Sequence, residues 1–419
     1  MFGQPRRGSS AVHGSMFGIL SRRERLRRRF AVGMATLAAV LVAVGAHAQT
    51  PTVEGYVREV LERNPSLHAR ALRRDALEHE ASAAGRWPDP VATIMVDRLP
   101  EQRTQLMPML QYQITQTLPW PGKLGLMREG VRQQRAAAQA DADVRRLDLA
   151  YEAKRAYFML YLNAQRRAIN LANRNLATTI VAAALGRYGA GVGTHHDVAR
   201  AEVEVAALDR EVLNLEGERL SAVAMLNALR DRPSQTQVMD PAEPRPSVAD
   251  LSLRVLEARA LERRPELRGA RAMEREAQAM ASLARREVYP DGGALPIAGV
   301  GRQRERAAAA DTRASSAVAD AAAMRAMIRF EVADAVARVQ TATRQLELIE
   351  RVVLPKTRES FQASLAGYGS GAIDVLGVLD ARRALQATEL ARADAVAMNA
   401  VAVAALERAT GVAVEGGTP

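Results

Sequence analysis

The feature that most limits what this chain can fold into is a helical pattern that continues without a break from residue 124 to about residue 187. At a rise of 1.5 Å per residue, a helix of this length would extend about 100 Å. Ala153, Tyr157, Leu160 and Ala164 are spaced by 4, 3 and 4 positions, which is typical of a seam against a neighbouring helix. Ordinary globular domains rarely contain such helices, so the sequence predicts a mainly α fold of long, packed helices.

A glycine-rich turn, Tyr188-Gly189-Ala190-Gly191, ends this helix and reverses the chain. Thr194 then stands at the N-cap of a second helix, with Asp197 in the capping-box position, and that helix continues to about Arg230. Residues 231–247, rich in Pro, Gln and Asp, predict a linker. The first half of the chain therefore predicts a long antiparallel helical hairpin.

The same features return later in the chain, which indicates a tandem repeat far longer than the units of solenoid proteins. The matching segments are 61–67 with 261–267, Trp87-Pro88-Asp89 with Tyr289-Pro290-Asp291, Leu118-Pro119 with Leu295-Pro296, and Tyr188 to Gly191 with Tyr368 to Gly371. Asp374 takes the cap position of Thr194. We therefore expect a first repeat over residues 49–247 and a second repeat over residues 248–419. Residues 1–48, which precede both repeats, are expected to be a signal peptide.

The second long helix carries a sustained heptad pattern at Ile328, Val332, Ala335, Val339, Ala342, Leu346, Ile349 and Val353. These alternating spacings of 4 and 3 positions predict a packed, supercoiling seam. Pro355 lacks the backbone N–H that a helix interior needs, so we expect a kink or a local unwinding there.

Residues 109–118 show the period of two that is typical of a strand with one apolar and one polar face. A tilted strand of about ten residues is long enough to cross a bilayer. Residues 53–86 predict a helical segment with Pro65 near its start, and the run Trp87-Pro88-Asp89-Pro90 breaks it. A candidate strand follows at 91–99, and the two strands together predict one β-hairpin. Pro119 and Pro121 end the sheet ladder, and Gly122 permits a sharp turn into the long helix.

An N-terminal segment with the features of a secretory signal changes how the net charge is interpreted. Six arginines between residues 22 and 29 precede an apolar stretch over residues 30–44, and Ala46-His47-Ala48 fits a cleavage site. A membrane anchor is the alternative, but the apolar stretch is short for a spanning helix. The net charge of +11 falls to about +4 without residues 1–48, which does not suggest a nucleic-acid binder.

No sequence pattern indicates an enzyme, and we expect no catalytic, cofactor or metal site. The chain has no cysteine, which excludes disulfides, thiolate metal sites and a cysteine nucleophile. Nucleotide-binding, zinc-protease and serine-hydrolase motifs are missing. His195 and His196 are adjacent on a helix and point in different directions, which favours solvated side chains over metal ligands. Met95, Met107 and Met109 flank the hairpin loop, where lipid-facing or core methionines are more common than a soft-metal path.

The corner after the second strand carries a resemblance to a known family. The run Gln116-Thr117-Leu118-Pro119-Trp120-Pro121-Gly122-Lys123 resembles the strand-to-helix junction of TolC-like outer-membrane efflux proteins, and it is most similar to their heavy-metal (CzcC/CusC-like) branch. The stretch from Leu354-Pro355 to Asp380-Ala381 resembles the second repeat of that family.

This resemblance implies a trimeric, periplasmic α-barrel and a β-hairpin contribution to a membrane β-barrel in the outer membrane of a Gram-negative cell. The implied function is that of the passive channel in a tripartite (RND-type) efflux system for heavy-metal cations or other toxic solutes. The implied partners are two further copies of the chain, a periplasmic adaptor (membrane fusion) protein, an inner-membrane RND transporter and outer-membrane lipid.

The resemblance also gives roles to two sets of residues. The strand-to-helix corner would be formed by Pro119, Trp120, Pro121, Gly122 and Lys123. The periplasmic tips that contact the adaptor would include Tyr188, Gly191, Thr194, Tyr368, Gly371 and Asp374. A plain helix hairpin with glycine C-caps accounts for the same tip residues, so both interpretations are kept.

The second repeat departs from the family pattern. Leu118 follows Asp89 by 29 positions, but Leu295 follows Asp291 by only 4, so a segment the size of one hairpin is missing. An internal deletion, another way of assembling the barrel, or a helical tunnel without a proper pore would each explain the gap. The last explanation supports a second hypothesis, a periplasmic coiled-coil structural or adaptor-type protein.

Overall fold

A computed structural model of the protein describes residues 52–97, 109–245, 252–292 and 300–412. The proposed signal peptide lies outside these residues. The elements are α1 (Val53–Arg63), α2 (Pro65–Ala84), β1 (Val91–Asp97), β2 (Met109–Thr115), α3 (Lys123–Gly189), α4 (His195–Leu229), α5 (Leu253–Arg263), α6 (Pro265–Arg286), α7 (Val300–Leu348), a π-helical turn (Ile349–Val353), α8 (Leu354–Ser370) and α9 (Val375–Thr410). The fold is therefore mainly α, as predicted. None of the described helices combines the length and the apolar character that a membrane-crossing helix needs.

Helix α3 is the element about which the others are arranged. It is 67 residues long and packs against α1, α2, α4, α6 and α9. Its buried face combines small residues such as Ala137, Ala140 and Ala153 with larger ones such as Tyr157 and Leu160. The small residues allow close approach of neighbouring helices, which explains why so long a helix can be packed along most of its length.

The chain breaks between two helices where we predicted one continuous helical segment over residues 53–86. Asn64 separates α1 from α2 in an extended conformation, and Pro65 is the first residue of α2. Proline disfavours a helical conformation of the residue before it, so the prediction of one helix was wrong at this position. The Asn64 side chain accepts a hydrogen bond from Ser66 N at 3.0 Å and donates to Leu229 O at 2.9 Å.

The second half repeats this junction with a different side chain. Arg264 precedes Pro265 in an extended conformation, and its guanidinium donates to Ala409 O at 3.1 Å. Leu229 and Ala409 lie at the C-terminal ends of α4 and α9. In both halves, therefore, the side chain of the residue before the proline donates a hydrogen bond to a carbonyl at the C-terminal end of that half's last helix. The last carbonyls of a helix have no partner within the helix, so they need a donor from elsewhere.

The second long helix contains one more residue than the first between two matching features. Buried residues follow the same 4, 4, 3 spacing at Leu149, Ala153, Tyr157 and Leu160 in α3 and at Ile328, Val332, Val336 and Val339 in α7. Ile328 follows Leu149 by 179 positions, but Tyr368 follows Tyr188 by 180. The π-helical turn lies between these features, and only Leu354 separates it from Pro355. A π turn accommodates one inserted residue, so this is the local unwinding that the proline predicted.

Strands β1 and β2 form an antiparallel hairpin in which Ile94 pairs with Tyr112 and Ala92 with Ile114. This register places Ala92, Ile94, Leu110, Tyr112 and Ile114 on one face. Gln111 and Gln113 lie on the other face, as the period of two predicted for β2, but Val91 and Met95 of β1 share that face with them. Strand β2 ends at Thr115, three residues earlier than predicted. Leu118 instead forms an isolated bridge with Gly292 of the second half.

The described residues contain this single hairpin, and the second half leaves little chain for another. Helix α3 begins 34 positions after Asp89, whereas α7 begins 9 positions after Asp291. Residues 293–299, which include the Leu295-Pro296 echo, lie outside the described residues.

Candidate functional site

The strand-to-helix corner turns sharply because its residues cannot continue either a strand or a helix. Pro119 and Pro121 have no backbone N–H, and Gly122, the N-cap of α3, adopts φ +90°. Few residues other than glycine occupy that region without strain. Lys123, the first residue of α3, is buried at this corner.

The second half of the chain holds this corner in place through Asp291. Its Oδ1 accepts hydrogen bonds from Lys123 Nζ at 2.8 Å and from Trp120 N at 3.0 Å. The hydrogen bond from Lys123, with that from Trp120 N and the lysine charge, holds the pKa of Asp291 below its ordinary value. Lys123 Nζ also donates to Tyr289 O at 2.8 Å. Thus Tyr289-Pro290-Asp291, the segment of the second half that matches Trp87-Pro88-Asp89, stabilises the corner of the first half through these hydrogen bonds.

Aromatic stacking and a backbone bridge complete this contact. The rings of Trp120 and Tyr289 are stacked, with centroids 5.1 Å apart and planes 12° apart. Gly292 N donates to Leu118 O at 2.8 Å. On the other side of the corner, Gln116 Nε2 donates to Pro88 O at 2.6 Å. The base of the hairpin is therefore fixed by contacts from both halves.

The first tip lies between α3 and α4 and contains the predicted caps. Gly191 adopts φ +73°, as a glycine C-cap requires. Thr194 and Asp197 form a reciprocal capping box, with Asp197 N to Thr194 Oγ1 at 3.2 Å and Thr194 N to Asp197 Oδ2 at 3.1 Å. Hydrogen bonding to Thr194 lowers the pKa of the Asp197 carboxyl.

The second tip lies between α8 and α9 and repeats this design with different residues. Gly371 adopts φ +79°, and Asp374 caps α9 by accepting from Gly377 N at 2.9 Å. The two tip tyrosines differ, because Tyr188 is 48% exposed and contacts the edge of the His195 ring, whereas Tyr368 is only 6% exposed. The tips are therefore alike in backbone and unlike in surface.

Arg187 joins the two tips, a role that sequence reasoning missed. Its guanidinium lies 5.1 Å from the centroid of the Tyr368 ring and donates to Tyr368 O at 3.2 Å. The matching position in the second half is Gly367. This difference between the two repeats could have singled out Arg187 in the sequence, but it does not indicate that Tyr368 is the residue that Arg187 contacts.

A buried polar cluster behind the tips links α3, α4 and α9. Arg382 is fully buried; it donates to Glu204 and, at 3.3 Å, to Asn173 Oδ1. Arg383 donates to the other oxygen of Glu204 at 2.6 Å. Burial raises the pKa of Glu204, but hydrogen bonding to Arg383 and the two guanidinium charges outweigh it, so the net shift is downward. The cluster was not predicted, because its members are scattered along three helices.

The corner, the tips and the buried polar cluster consist of contact surfaces and structural ion pairs. Across the part of the chain that the structure describes, no group of three His, Asp or Glu side chains could hold a metal ion. The perturbed carboxyls at the corner and behind the tips are engaged by Lys123, Arg382 and Arg383 in structural ion pairs.

Comparison with known proteins links this arrangement to membrane channels. The model of a family described as outer membrane efflux protein matches residues 56–230 and 292–412. The outer-membrane channel OprN is similar with a TM-score of 0.74 at 22% identity, over 88% of this chain and 90% of that chain. VceC of Vibrio cholerae gives 0.73 at 18% identity over 86% and 96%, and CusC gives 0.73 at 20% over 86% and 92%. At these identities the likeness is one of fold. No curated protein matches the chain.

Proposed function

The chain belongs to the outer membrane efflux protein family, and on that premise we propose that it is the outer-membrane channel subunit of a tripartite efflux system. The observation that carries the proposal is the combination, in one chain, of two long helical hairpins with capped tips and one amphipathic β-hairpin at the opposite end of α3. The family is one of channels rather than enzymes, and the TolC-like fold agrees with that.

The β-hairpin is the part that would contact lipid. Ile94, Tyr112 and Ile114 share one face and are 63%, 71% and 79% exposed. An apolar face of this kind, without cover from the described residues, is suited to lipid or a partner chain. Seven residues per strand extend about 23 Å, close to the apolar depth of an outer membrane.

The two tips are the surface proposed to meet the periplasmic adaptor. Tyr188 and Val192 expose large apolar area at the first tip, and Gly191, Thr194, Gly371 and Asp374 fix the backbone around them. Functional contacts commonly lie on loops held by rigid elements, and these two turns are held by four long helices. Tyr368 would act from below the surface by supporting Arg187.

We propose a passive mechanism in which three copies of the chain form the conduit. An inner-membrane RND transporter would supply the driving force, and the adaptor would connect it to the tips. Heavy-metal cations are the first substrate class, on the strength of the Pro119 to Lys123 corner, and organic toxic solutes are the second. Residues 1–48 would direct export as a cleaved signal peptide.

A periplasmic coiled-coil structural or adaptor-type protein is the second candidate. The short connection between Asp291 and α7, 9 positions against 34 in the first half, favours it. Cell fractionation separates the two candidates. Release with the periplasmic contents supports the second one, and extraction from outer membranes only by detergent supports the channel.

Paired substitutions on the two faces of the hairpin make this fractionation sharper. Tyr112→Asp with Ile114→Asp places carboxylates on the apolar face, where a charged side chain that faces lipid is destabilising. We expect this variant to leave the outer membrane fraction. The matched control, Gln111→Asp with Gln113→Asp, adds the same charge to the polar face and should stay there. Equal loss of both variants would contradict a lipid-facing hairpin.

A sensitivity panel tests transport. Deleting the gene in its host should raise sensitivity to metal cations or to organic toxicants, and the wild-type chain should restore tolerance. Unchanged tolerance to both classes would overturn the efflux role. A change confined to one class would identify the substrate.

A further inference from the structure

A cavity of about 730 Å³ lies among α2, α3 and α6, and arginine side chains dominate its lining. Six of its ten lining residues are arginines: Arg74, Arg132, Arg135, Arg268, Arg271 and Arg275. Glu274 is the one carboxylate in the lining. So many guanidinium groups around one space distinguish it from an ordinary solvated helix surface, where charges of both signs alternate.

The arginines converge because of their spacing on two helices that pack together. Arg268, Arg271 and Arg275 follow at i, i+3 and i+7 on α6, which places them on one face. Arg132 and Arg135 are three positions apart on α3. Since α3 and α6 are in extensive contact, the two sets face the same cavity.

Two of the six guanidinium groups are without a carboxylate partner among the described residues. The other four pair with carboxylates outside the lining: Arg74 with Asp75 at 2.6 Å, Arg135 with Glu78 at 2.9 Å, Arg268 with Asp143 at 3.0 Å and Arg132 with Glu129 at 3.9 Å. The Arg275 guanidinium donates to Arg271 O at 3.2 Å. Among the described residues, the Arg271 guanidinium donates no hydrogen bond to the protein. Their remaining donors are free to bind an added anion.

The fold itself does not require these arginines. In α2, which matches α6, the positions of Arg268, Arg271 and Arg275 hold His68, Ala71 and Asp75. In α7, which matches α3, the positions of Arg132 and Arg135 hold Asp311 and Ala314. Both matching helices form without arginine at these positions. The arginine cluster is therefore not needed to form the repeated helices, and it occurs on only one of the two equivalent helix pairs.

We propose that this cavity binds a ligand with two or more phosphate groups. The planar guanidinium fork pairs with phosphate through two parallel hydrogen bonds, and several forks around one space favour a multiply charged ligand. The volume is in the range of ligand sites. Arg132 is nine residues, about 14 Å of helix, from the start of α3 at the hairpin, so a phosphorylated glycolipid and a soluble polyphosphate share the required chemistry.

Isothermal titration of the purified full chain with sodium tripolyphosphate at low salt tests the site. Arg271→Gln with Arg275→Gln should weaken binding roughly tenfold or more, because each charge-assisted contact is strong. These side chains are exposed and unpaired with acids, so folding should be unaffected, as checked by circular dichroism. Arg254→Gln with Arg259→Gln on α5 removes the same charge elsewhere and should leave affinity unchanged.

The same titration with a detergent-solubilised bisphosphorylated glycolipid distinguishes the sources. Tighter binding of the glycolipid, lost in the α6 variant, supports a lipid ligand, and tighter binding of tripolyphosphate supports a soluble one. Absence of binding of both probes to the wild-type chain, or equal loss in the α5 control, would overturn the proposal. The test uses purified protein and needs no transport, so it stands apart from the proposed efflux role.

Discussion

At the scale of single residues, Asp291 is the group whose ionisation should control the strand-to-helix corner. Its pKa is lowered in the folded protein, chiefly by the hydrogen bond from Lys123. An unfolded aspartate has a pKa of about 3.9, so the carboxylate contributes stability above that pH and loses it as pH falls through the lower, folded pKa. We therefore expect the corner to loosen below about pH 4.

Tryptophan fluorescence measures this transition locally. The chain has two tryptophans, and Trp87→Phe leaves Trp120, which stacks on Tyr289, as the reporter. Its emission should change as the pH falls below about 4 and passes through the lowered pKa of Asp291. With Asp291→Asn added, the altered emission should already be present at pH 7 and the acid transition should vanish. The same transition in both proteins would mean that another group is responsible.

Arg187 is the residue on which contact between the tips depends. Arg187→Gln removes both the contact with the Tyr368 ring and the hydrogen bond to Tyr368 O. Together these are worth about 1 kcal/mol, so amide exchange at both tips should accelerate roughly fivefold. Hydrogen exchange of residues 185–195 and 366–378 provides the measurement. Arg200→Gln, an exposed arginine on α4, is the control, and equal acceleration there would contradict the role of Arg187.

Helix caps and glycine turns could be predicted from the sequence, whereas contacts between residues far apart in the chain could not. Thr194 and Gly191 were identified because a cap and a left-handed turn depend only on neighbouring residues. Arg187 and Asp291 were not, because their partners lie 181 and 168 positions away. Nothing in the sequence around either residue specifies which distant helix end will lie against it.

At the scale of elements, the π-helical turn before Pro355 should be removable. Buried positions upstream of it match α3 with an offset of 179, and the tip downstream matches with 180. Deleting Val352, which is exposed in the turn, should convert it to α-helix and leave the packing on both sides in register. We expect a change in Tm of a few degrees or less in thermal unfolding followed by circular dichroism.

A deletion elsewhere in the same helix is the control. Removing Ala326, exposed and two positions before buried Ile328, rotates one part of α7 by about 100° relative to the other. The two parts of the buried seam can then no longer face the same neighbours, so this protein should be strongly destabilised or fail to fold. If both deletions are tolerated equally, the turn does not absorb an insertion.

Long periodic elements were predicted well and their interruptions less well. The bounds of α3 differ from the predicted ones by one or two residues, since a periodic pattern of this length leaves no competing structure. The break at Asn64 was missed because the pattern continues across it, and only the local effect of Pro65 ends the helix. Strand β2 ends early because Leu118 pairs with Gly292, a partner from the other half.

At the scale of the whole molecule, the corner and the tips are separated by the length of α3, about 100 Å for 67 residues. Each end has its own contacts with the second half, through Asp291 at the corner and Tyr368 at the tips. The described hydrogen bonds at one end share no residue with those at the other. A change in the hairpin should therefore leave the tips unaffected, which lets the two proposed surfaces be tested separately.

The side of α4 that faces away from the core carries apolar residues, and this is where we expect the copies of the chain to meet. Leu213 and Leu220 are 67% and 70% exposed and are one heptad apart. Buried Ala201, Leu208 and Leu215 lie on the opposite side of the helix. A helix that is apolar on both sides usually packs on both sides, so a second copy is the expected cover.

Leu213→Glu with Leu220→Glu should therefore convert the proposed trimer to monomers without unfolding the helices. Two buried, unpaired carboxylates per interface are costly, whereas the isolated chain already exposes both positions to water. Light scattering after size exclusion in detergent gives the mass. Asn214→Glu with Ser221→Glu adds the same charge one position further along, at exposed sites beside the stripe, and should remain trimeric. A wild-type chain that is itself monomeric, or a trimer that survives both substitutions, would show that this face is not the interface.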